Sequence, residues 1–544
     1  MRRLYIPCLV VGLVAGVACA QNASVSESAQ PASTAATSGQ PSSTPTLVVF
    51  FTVDQMRPDY FSRFDSQLTG GLARLYHGGA FYTNAFQDHA ITETAPGHSA
   101  TMSGRFPAHN GIVQNTDGVE DPKTPMIGGV GVGASPFRFH GTVLFDWLQK
   151  KDSRARALSV SRKDRGAILP LGKAKQSVFW LTRAGFSTSV YYADKLPAWV
   201  QRFNERKLPA SYAGKSWTLL LDSTQYPEPD SVPEETGVNR AKVTFPHDMS
   251  ADPDRTAAVL SLGAAFPWAD EITLQFALDG LQQMKLGTGP QTDVLAISLS
   301  ATDAVGHLYG PDSREIHDQI LRLDRSLGVF FDSLYKLRDS TKIIFALTAD
   351  HGVAPYPGVK SHDPNEGAGY VQAAIDTARA VEGRVAAAIK DSSRFIWDTP
   401  YLLVDRAALS AKKLKPDSVI AAFVESERKI PGVLRVDLVR DLPKADTTTD
   451  YVARRWLHTL PPGVPVEVVV TLKPYFYWAK AIATHGTPHD YDAHVPVLFY
   501  GPPFKPGKYD EFARVVDMAP TLASVLKATP LEKLDGHVLQ SSIR

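Results

Sequence analysis

Residues 47–54 read LVVFFTVD, a run with no polar alternation that closes on an aspartate. Such a run fits a strand buried on both faces better than one with a wet side. The type recurs in DVLAISLSATD (293–303), KIIFALTAD (342–350) and VPVLFYG (495–501). Helical patterns lie between, as in SREIHDQILRLDRSLGVFFDSLYKL (313–337). Strands and helices in alternation predict an α/β fold, a largely parallel central sheet flanked by helices. Three of the runs end in acid, at Asp54, Asp303 and Asp350. Open α/β sheets bind their ligands beyond the carboxyl ends of the strands, so the chemistry is expected there.

One aspartate at a strand end is ordinarily a helix cap or turn former. Two of these three have a histidine close by. His307 follows Asp303 by four residues and faces the same side of a helical turn. His351 follows Asp350 directly, and Gly352 supplies the turn on which adjacent side chains converge. Carboxylate and imidazole together suit zinc. A further imidazole is expected from ATHGTPHDYDAHVPVLFYG, which precedes a buried strand. There His485 is the candidate, and spacing leaves His489 and His494 open. His98 reads as a buttress, and His77, His140 and His458 as structural.

Thr94 stands in ITETAPGHSATMSG (91–104), just ahead of a helix started by Pro96. A threonine there is either an N-cap or a nucleophile.

With 57 basic and 56 acidic residues among 544, the chain has no charge excess that would favour nucleic acid. Residues 1–20 have the layout of a secretory signal peptide: Arg2 and Arg3, a short apolar run, then Ala18-Cys19-Ala20. That run falls short of the ~20 apolar residues a membrane span needs, and no later segment qualifies. Export to the periplasm or beyond as a soluble protein follows. Both cysteines, Cys8 and Cys19, lie in this segment, so cleavage after Ala20 leaves no thiol. Lipidation at Cys19 is disfavoured because leucine is missing three positions upstream. Residues 21–45 are a Ser/Thr/Pro/Ala-rich leader, and 46–544 form the catalytic domain. Regions near 171–285 and 360–480 are expected as inserted caps. Trp180, Tyr191, Tyr192, Trp199 and Trp217 in the first are read as core.

Taken in order, Asp54, Thr94, Asp303 with His307, Asp350 with His351, and His485 before Gly486 resemble the alkaline phosphatase superfamily. The resemblance spans nearly the whole mature chain. It implies two zinc ions: one on Asp54, Asp350, His351 and the Thr94 hydroxyl, the other on Asp303, His307 and His485. TAPGH lacks the arginine of the sulfatase motif, which argues against that branch. GIVQN (111–115) and SVSRKDRGAI (159–168) resemble the threonine-nucleophile, phosphate-irrepressible alkaline phosphatases. There an Asn, a Lys and an Arg, here Asn115, Lys163 and Arg165, grip the phosphate oxygens. Nucleotide pyrophosphatase/phosphodiesterases share the threonine and the asparagine but lack the Lys-x-Arg pair. A monoester carries one more negative charge than a diester, so two added cations favour the monoester. The implied activity is hydrolysis of small phosphate monoesters through a phospho-threonine. The alternatives are a phosphodiesterase of the same superfamily and a non-catalytic binder of phosphorylated ligands.

Overall fold

The run at 47–53 becomes the middle strand of a nine-stranded sheet. In this computed structural model, residues 44–128, 131–232, 235, 243–263, 265–355, 369–479, 481 and 483–544 are described. The expected signal peptide, Cys19 and all but the last two residues of the expected leader lie outside them.

Before the second sheet come seven core strands: β1 (Leu47–Val53), β2 (Ala80–Tyr82), β3 (Ala157–Ser161), β4 (Ser177–Thr182), β5 (Gly185–Ser187), β6 (Asp293–Leu299) and β7 (Ile343–Thr348). Four strands follow in the second sheet: β8 (Phe395–Asp398), β9 (Tyr401–Val404), β10 (Val433–Leu438) and β11 (Val466–Leu472). The core sheet is completed by β12 (Val497–Tyr500) and β13 (Gly507–Tyr509), in the order β13-β2-β12-β7-β1-β6-β3-β4-β5. Five of its eight pairings are parallel, β12 and β5 entering antiparallel. Every residue of β1, β6 and β7 is buried, which is why their sequences do not alternate.

Seven helices matter below: α1 (Thr94–Ser103), α2 (Trp268–Gln283), α3 (Ala301–Tyr309), α4 (Arg314–Leu337), α5 (Gln372–Ile389), α6 (Pro416–Glu427) and α7 (Tyr451–Thr459). The Ser313 side chain caps α4 by accepting from the Ile316 N–H. The buried stripe of α4 lays Phe330 edge-on to Phe51 at 5.6 Å and Phe331 4.4 Å from Phe345. Burial of each such ring contributes about 1.5–3 kcal/mol.

Register places the acids. Val53 pairs with Leu299 and Thr52 with Thr348, so Asp54 and Asp350 come level at neighbouring strand ends. Asp303 differs from the expectation: β6 stops at Leu299, and Asp303 lies in the first turn of α3. The helix starts early because Asp270 of α2 accepts from the N–H groups of Ser300 and Ala301 at 2.9 and 3.0 Å, a cap supplied from far along the chain.

Within 171–285, β4 and β5 extend the core sheet, and α2 packs against its strands β3 and β6. The stretch between them packs into the same apolar core, where Val200, Phe203, Trp217 and Leu260 are buried. Within 360–480 the second sheet runs antiparallel in the order β8-β9-β11-β10. It buries its own apolar cluster, including Trp397, Phe423 and Val468, with α5 and α6. Among the described residues no helix is long and apolar enough to cross a membrane.

Candidate active site

Helix α1 is buried along its whole length, an unusual place for Thr, His and Ser side chains. Gly97 permits it: a Cβ there would meet the Asp350 carbonyl oxygen at 2.1 Å. The first turn of α1 is thereby pressed against the end of β7, next to Asp350. His98, one turn after Thr94, locks this contact. Its Nδ1 donates to the Thr94 carbonyl at 2.9 Å and lies 3.2 Å from Asp350 Oδ2, while Nε2 meets Ser298 Oγ at 2.9 Å. The buttress expected of His98 is thus a link between the candidate nucleophile and a candidate ligand.

Ligand atoms converge in two sets, Asp54–Asp350–His351 and Asp303–His351–His485, each within 4.8 Å. His351 belongs to both. His307 stands at the edge of the second, its Nε2 3.2 Å from Asp303 Oδ1. All three imidazoles are oriented alike. Nδ1 donates to a backbone carbonyl: Gly352 for His351 at 2.9 Å, Ala483 for His307 at 2.8 Å, Thr92 for His485 at 2.8 Å. A ring nitrogen facing a carbonyl carries the proton, so each Nε2 keeps its lone pair toward the centre. His489 and His494, left open by spacing, turn elsewhere, with Nε2 on the Leu472 and Thr83 carbonyls.

The residues fit divalent metal. Asp54 Oδ1 and His351 Nε2 are buried without a hydrogen bond. Unmatched polar atoms of that kind are costly unless a ligand answers them. Burial, with the charges of Asp303 and Asp350, pushes the Asp54 carboxyl well above its ordinary range. Burial also pushes His351 and His485 down, which keeps them neutral, the form that binds metal.

Lys163 does not stand free for phosphate. Its Nζ pairs with Asp54 Oδ2 and, at 2.7 Å, with Asp303 Oδ2, and lies 3.5 Å from the Thr94 hydroxyl. Although burial works to raise the Asp303 carboxyl, this ammonium and His307 hold it well below the carboxylate range. Arg165 is in ion-pair range of Asp164, at 3.6 Å, and its buried Nε has no partner. Asn115 is aimed by its neighbours. Its N–H donates to Glu93 Oε2 at 2.7 Å, and its side-chain oxygen accepts from the Ala95 N–H at 2.9 Å. The amide NH2 is the remaining group, beside the start of α1.

Sequence reasoning missed Gln55. Its φ of 64° turns the backbone so that N–H donates to Asp350 Oδ1 at 3.1 Å and Nε2 to Asp303 Oδ1 at 2.9 Å. One residue thus braces a carboxylate in each set. Its neighbour Asp54 offered a hint, but a lone glutamine carries no motif. Glu93 and Thr92 were missed for the same reason.

The sequence profile of the type I phosphodiesterase / nucleotide pyrophosphatase family matches residues 48–437. Alkaline phosphatase PhoV of Synechococcus elongatus is 31% identical over 502 residues, 89% of this chain and 90% of that protein. Alkaline phosphatase PafA of Elizabethkingia meningoseptica is 30% identical over 526 residues, 89% of this chain and 92% of that one. A crystal structure of PafA superposes with a TM-score of 0.83 at 29% identity, covering 92% of this chain and 99% of that one. The chain belongs to the type I phosphodiesterase / nucleotide pyrophosphatase family and is an alkaline phosphatase-like phosphoesterase.

Proposed function

From that membership we infer that the chain is an exported, zinc-dependent alkaline phosphatase that hydrolyses small phosphate monoesters through a phospho-threonine at Thr94. The observation that carries the reading is the place of the Thr94 hydroxyl. It opens a fully buried helix and lies 3.5 Å from Lys163 Nζ, the ammonium that pairs with a carboxylate of each Asp/His set. A free threonine hydroxyl is a weak nucleophile and needs activation. Asp54, Asp350 and His351 would hold one zinc and Asp303, His307 and His485 another, and bound metal would supply Lewis acidity to the nucleophile and positive charge to the leaving group.

The chain's own groups do the rest. Thr94 Oγ forms the new bond to phosphorus as the bond to the leaving alcohol's oxygen breaks, and water later cleaves the phospho-threonine to release phosphate. Charge spreads over the phosphoryl oxygens in such a transfer, so donors fixed beforehand are effective. The Asn115 amide, held by Glu93 and Ala95, is one such donor. Lys163, paired here with Asp54 and Asp303, would turn to a phosphoryl oxygen once those carboxylates were otherwise neutralised. Arg165, with its Nε unpaired, offers a fork for two oxygens. The positive end of the α1 dipole adds to the same field.

Thr94→Ala tests the reading. Turnover of an aryl phosphate is expected to fall by at least about a thousandfold, as for loss of an activated nucleophile, with bound zinc near the wild-type ratio. Wild-type turnover in that variant removes Thr94 from the chemistry. A second reading, phosphodiesterase, is favoured by the family profile itself and differs in the weight given to Lys163 and Arg165.

A further inference from the structure

Between β10 and β11 the chain forms α7, outside the core sheet, and its inner face meets the loop that leads into Thr94. Asp88, in that loop, is fully buried. It accepts from Arg454 Nε and Nη2 at 3.0 and 3.1 Å and from Arg455 Nε at 3.3 Å. Its carbonyl accepts from His458 Nδ1 at 2.7 Å, and the next N–H but one, of Ala90, donates to Thr459 Oγ at 2.7 Å. Arg455 is 1% exposed and does more than answer Asp88. Its Nη1 donates to the Pro488 carbonyl and lies 2.9 Å from Asp490 Oδ1. Pro488 and Asp490 follow His485 in the loop that carries the last imidazole.

The two loops bridged by this guanidinium meet again at the chemistry. Thr92 accepts from His485 Nδ1 through its carbonyl at 2.8 Å, and its hydroxyl accepts from the Gly486 N–H at 3.2 Å and donates to the Thr487 carbonyl at 2.8 Å. Two residues on, the same strand of chain is Thr94. A buried ion pair is a weak means of stabilising a fold, because desolvation offsets most of its attraction. A planar fork that reaches two separate loops is a good means of fixing their spacing.

We infer that Arg455 is a positioning residue for the phosphoryl transfer, holding the Asp88–Thr94 loop against the His485–Asp490 loop from a helix outside the core sheet. The inference rests on Thr94 and His485 having the roles given above. Arginine is required because lysine, a point donor, reaches Asp88 or the Pro488 carbonyl but not both. Arg454 is the internal comparison: it binds Asp88 and the Thr447 carbonyl, on its own side, and does not bridge the loops.

The test uses the full-length metal-loaded enzyme with Arg455→Lys and Arg454→Lys. Arg455→Lys is expected to lower kcat for an aryl phosphate by about 10–100-fold, the usual cost of losing an outer-shell partner. KM is expected to change little, and zinc release to a chelator to accelerate by a similar factor. Arg454→Lys is expected to leave all three near wild type. Arg455→Gln, which keeps a donor toward Asp88 but is too short to reach the Pro488 carbonyl as well, serves if Arg455→Lys does not fold, with the same loss of kcat at steady KM. Wild-type kcat and zinc release in Arg455→Lys overturn the inference. Equal losses in both lysine variants, in step with their melting temperatures, overturn it too, since they mark a purely structural helix contact. Zinc release is read without turnover, so an error about Thr94 does not mask the result.

Discussion

The two ligand sets are built to different plans. Asp54, Asp350 and His351 are fully buried, with no side chain of theirs open to solvent. Lys163 and Gln55 each meet a carboxylate of both sets, but the second set opens to solvent at His307, whose side chain is 34% exposed. The first set comes from neighbouring strand ends fixed by backbone register, the second from a helix and one loop. A closed, rigid set suits holding and charging the nucleophile. An open one suits a group that must meet substrate and water.

Removing a carboxylate from the closed set is the strongest way to break this comparison. Asp350→Ala should cut kcat/KM by at least about a thousandfold, because a metal's share of charge stabilisation is several kcal/mol, and should lower bound zinc. His307→Ala, in the open set, should cost clearly less in the same assay. Equal losses would mean that the burial difference has no catalytic meaning.

Gln55 links the two sets, with its N–H on Asp350 and its side-chain amide on Asp303. Gln55→Leu should weaken metal affinity by about 10–100-fold, read by competition with a chelator. Unaltered affinity would reduce Gln55 to packing.

A smaller effect concerns the wall behind the closed set. His89 is buried with neither ring nitrogen partnered, and burial, opposed by Asp88, pushes its imidazole down to about 3 from 6.5. The unfolded chain then binds the extra proton between those values. Stability from this group is present above pH 6.5 and is lost as pH falls toward 3. The urea midpoint should decline over that window, and His89→Leu should flatten the decline. An unchanged profile in the variant would show that other groups govern it.

The core sheet was legible because its strands are buried on both faces, so LVVFFTV and IIFALT carry the signal locally. Asp54, Asp350 and His351 were legible for the same reason, since register follows from those runs. Asp303 was assigned to a strand end because LAISLSAT reads as one run. What ends the strand is Asp270, whose sequence distance hides the cap. Lys163 was legible as part of the site, yet its carboxylate partners were not, since they depend on which strand ends become neighbours. Gln55, Glu93, Thr92 and Arg455 act through backbone contacts between distant loops and left no motif. The second sheet, with short strands and a register shift between β9 and β11, was visible only as a helix–strand pattern near 360–480.

The central claim is that this site is charged for a phosphate monoester, and one kinetic comparison tests it directly. kcat/KM is measured for an aryl phosphate monoester and its matching diester, in wild type and in Lys163→Ala/Arg165→Ala. Wild type should prefer the monoester. The double variant should lose about a hundred- to ten-thousandfold on the monoester, for two charge-assisted bonds at ~1.5–3 kcal/mol each, and much less on the diester. A diester preference in wild type, or equal losses on both substrates, would contradict it.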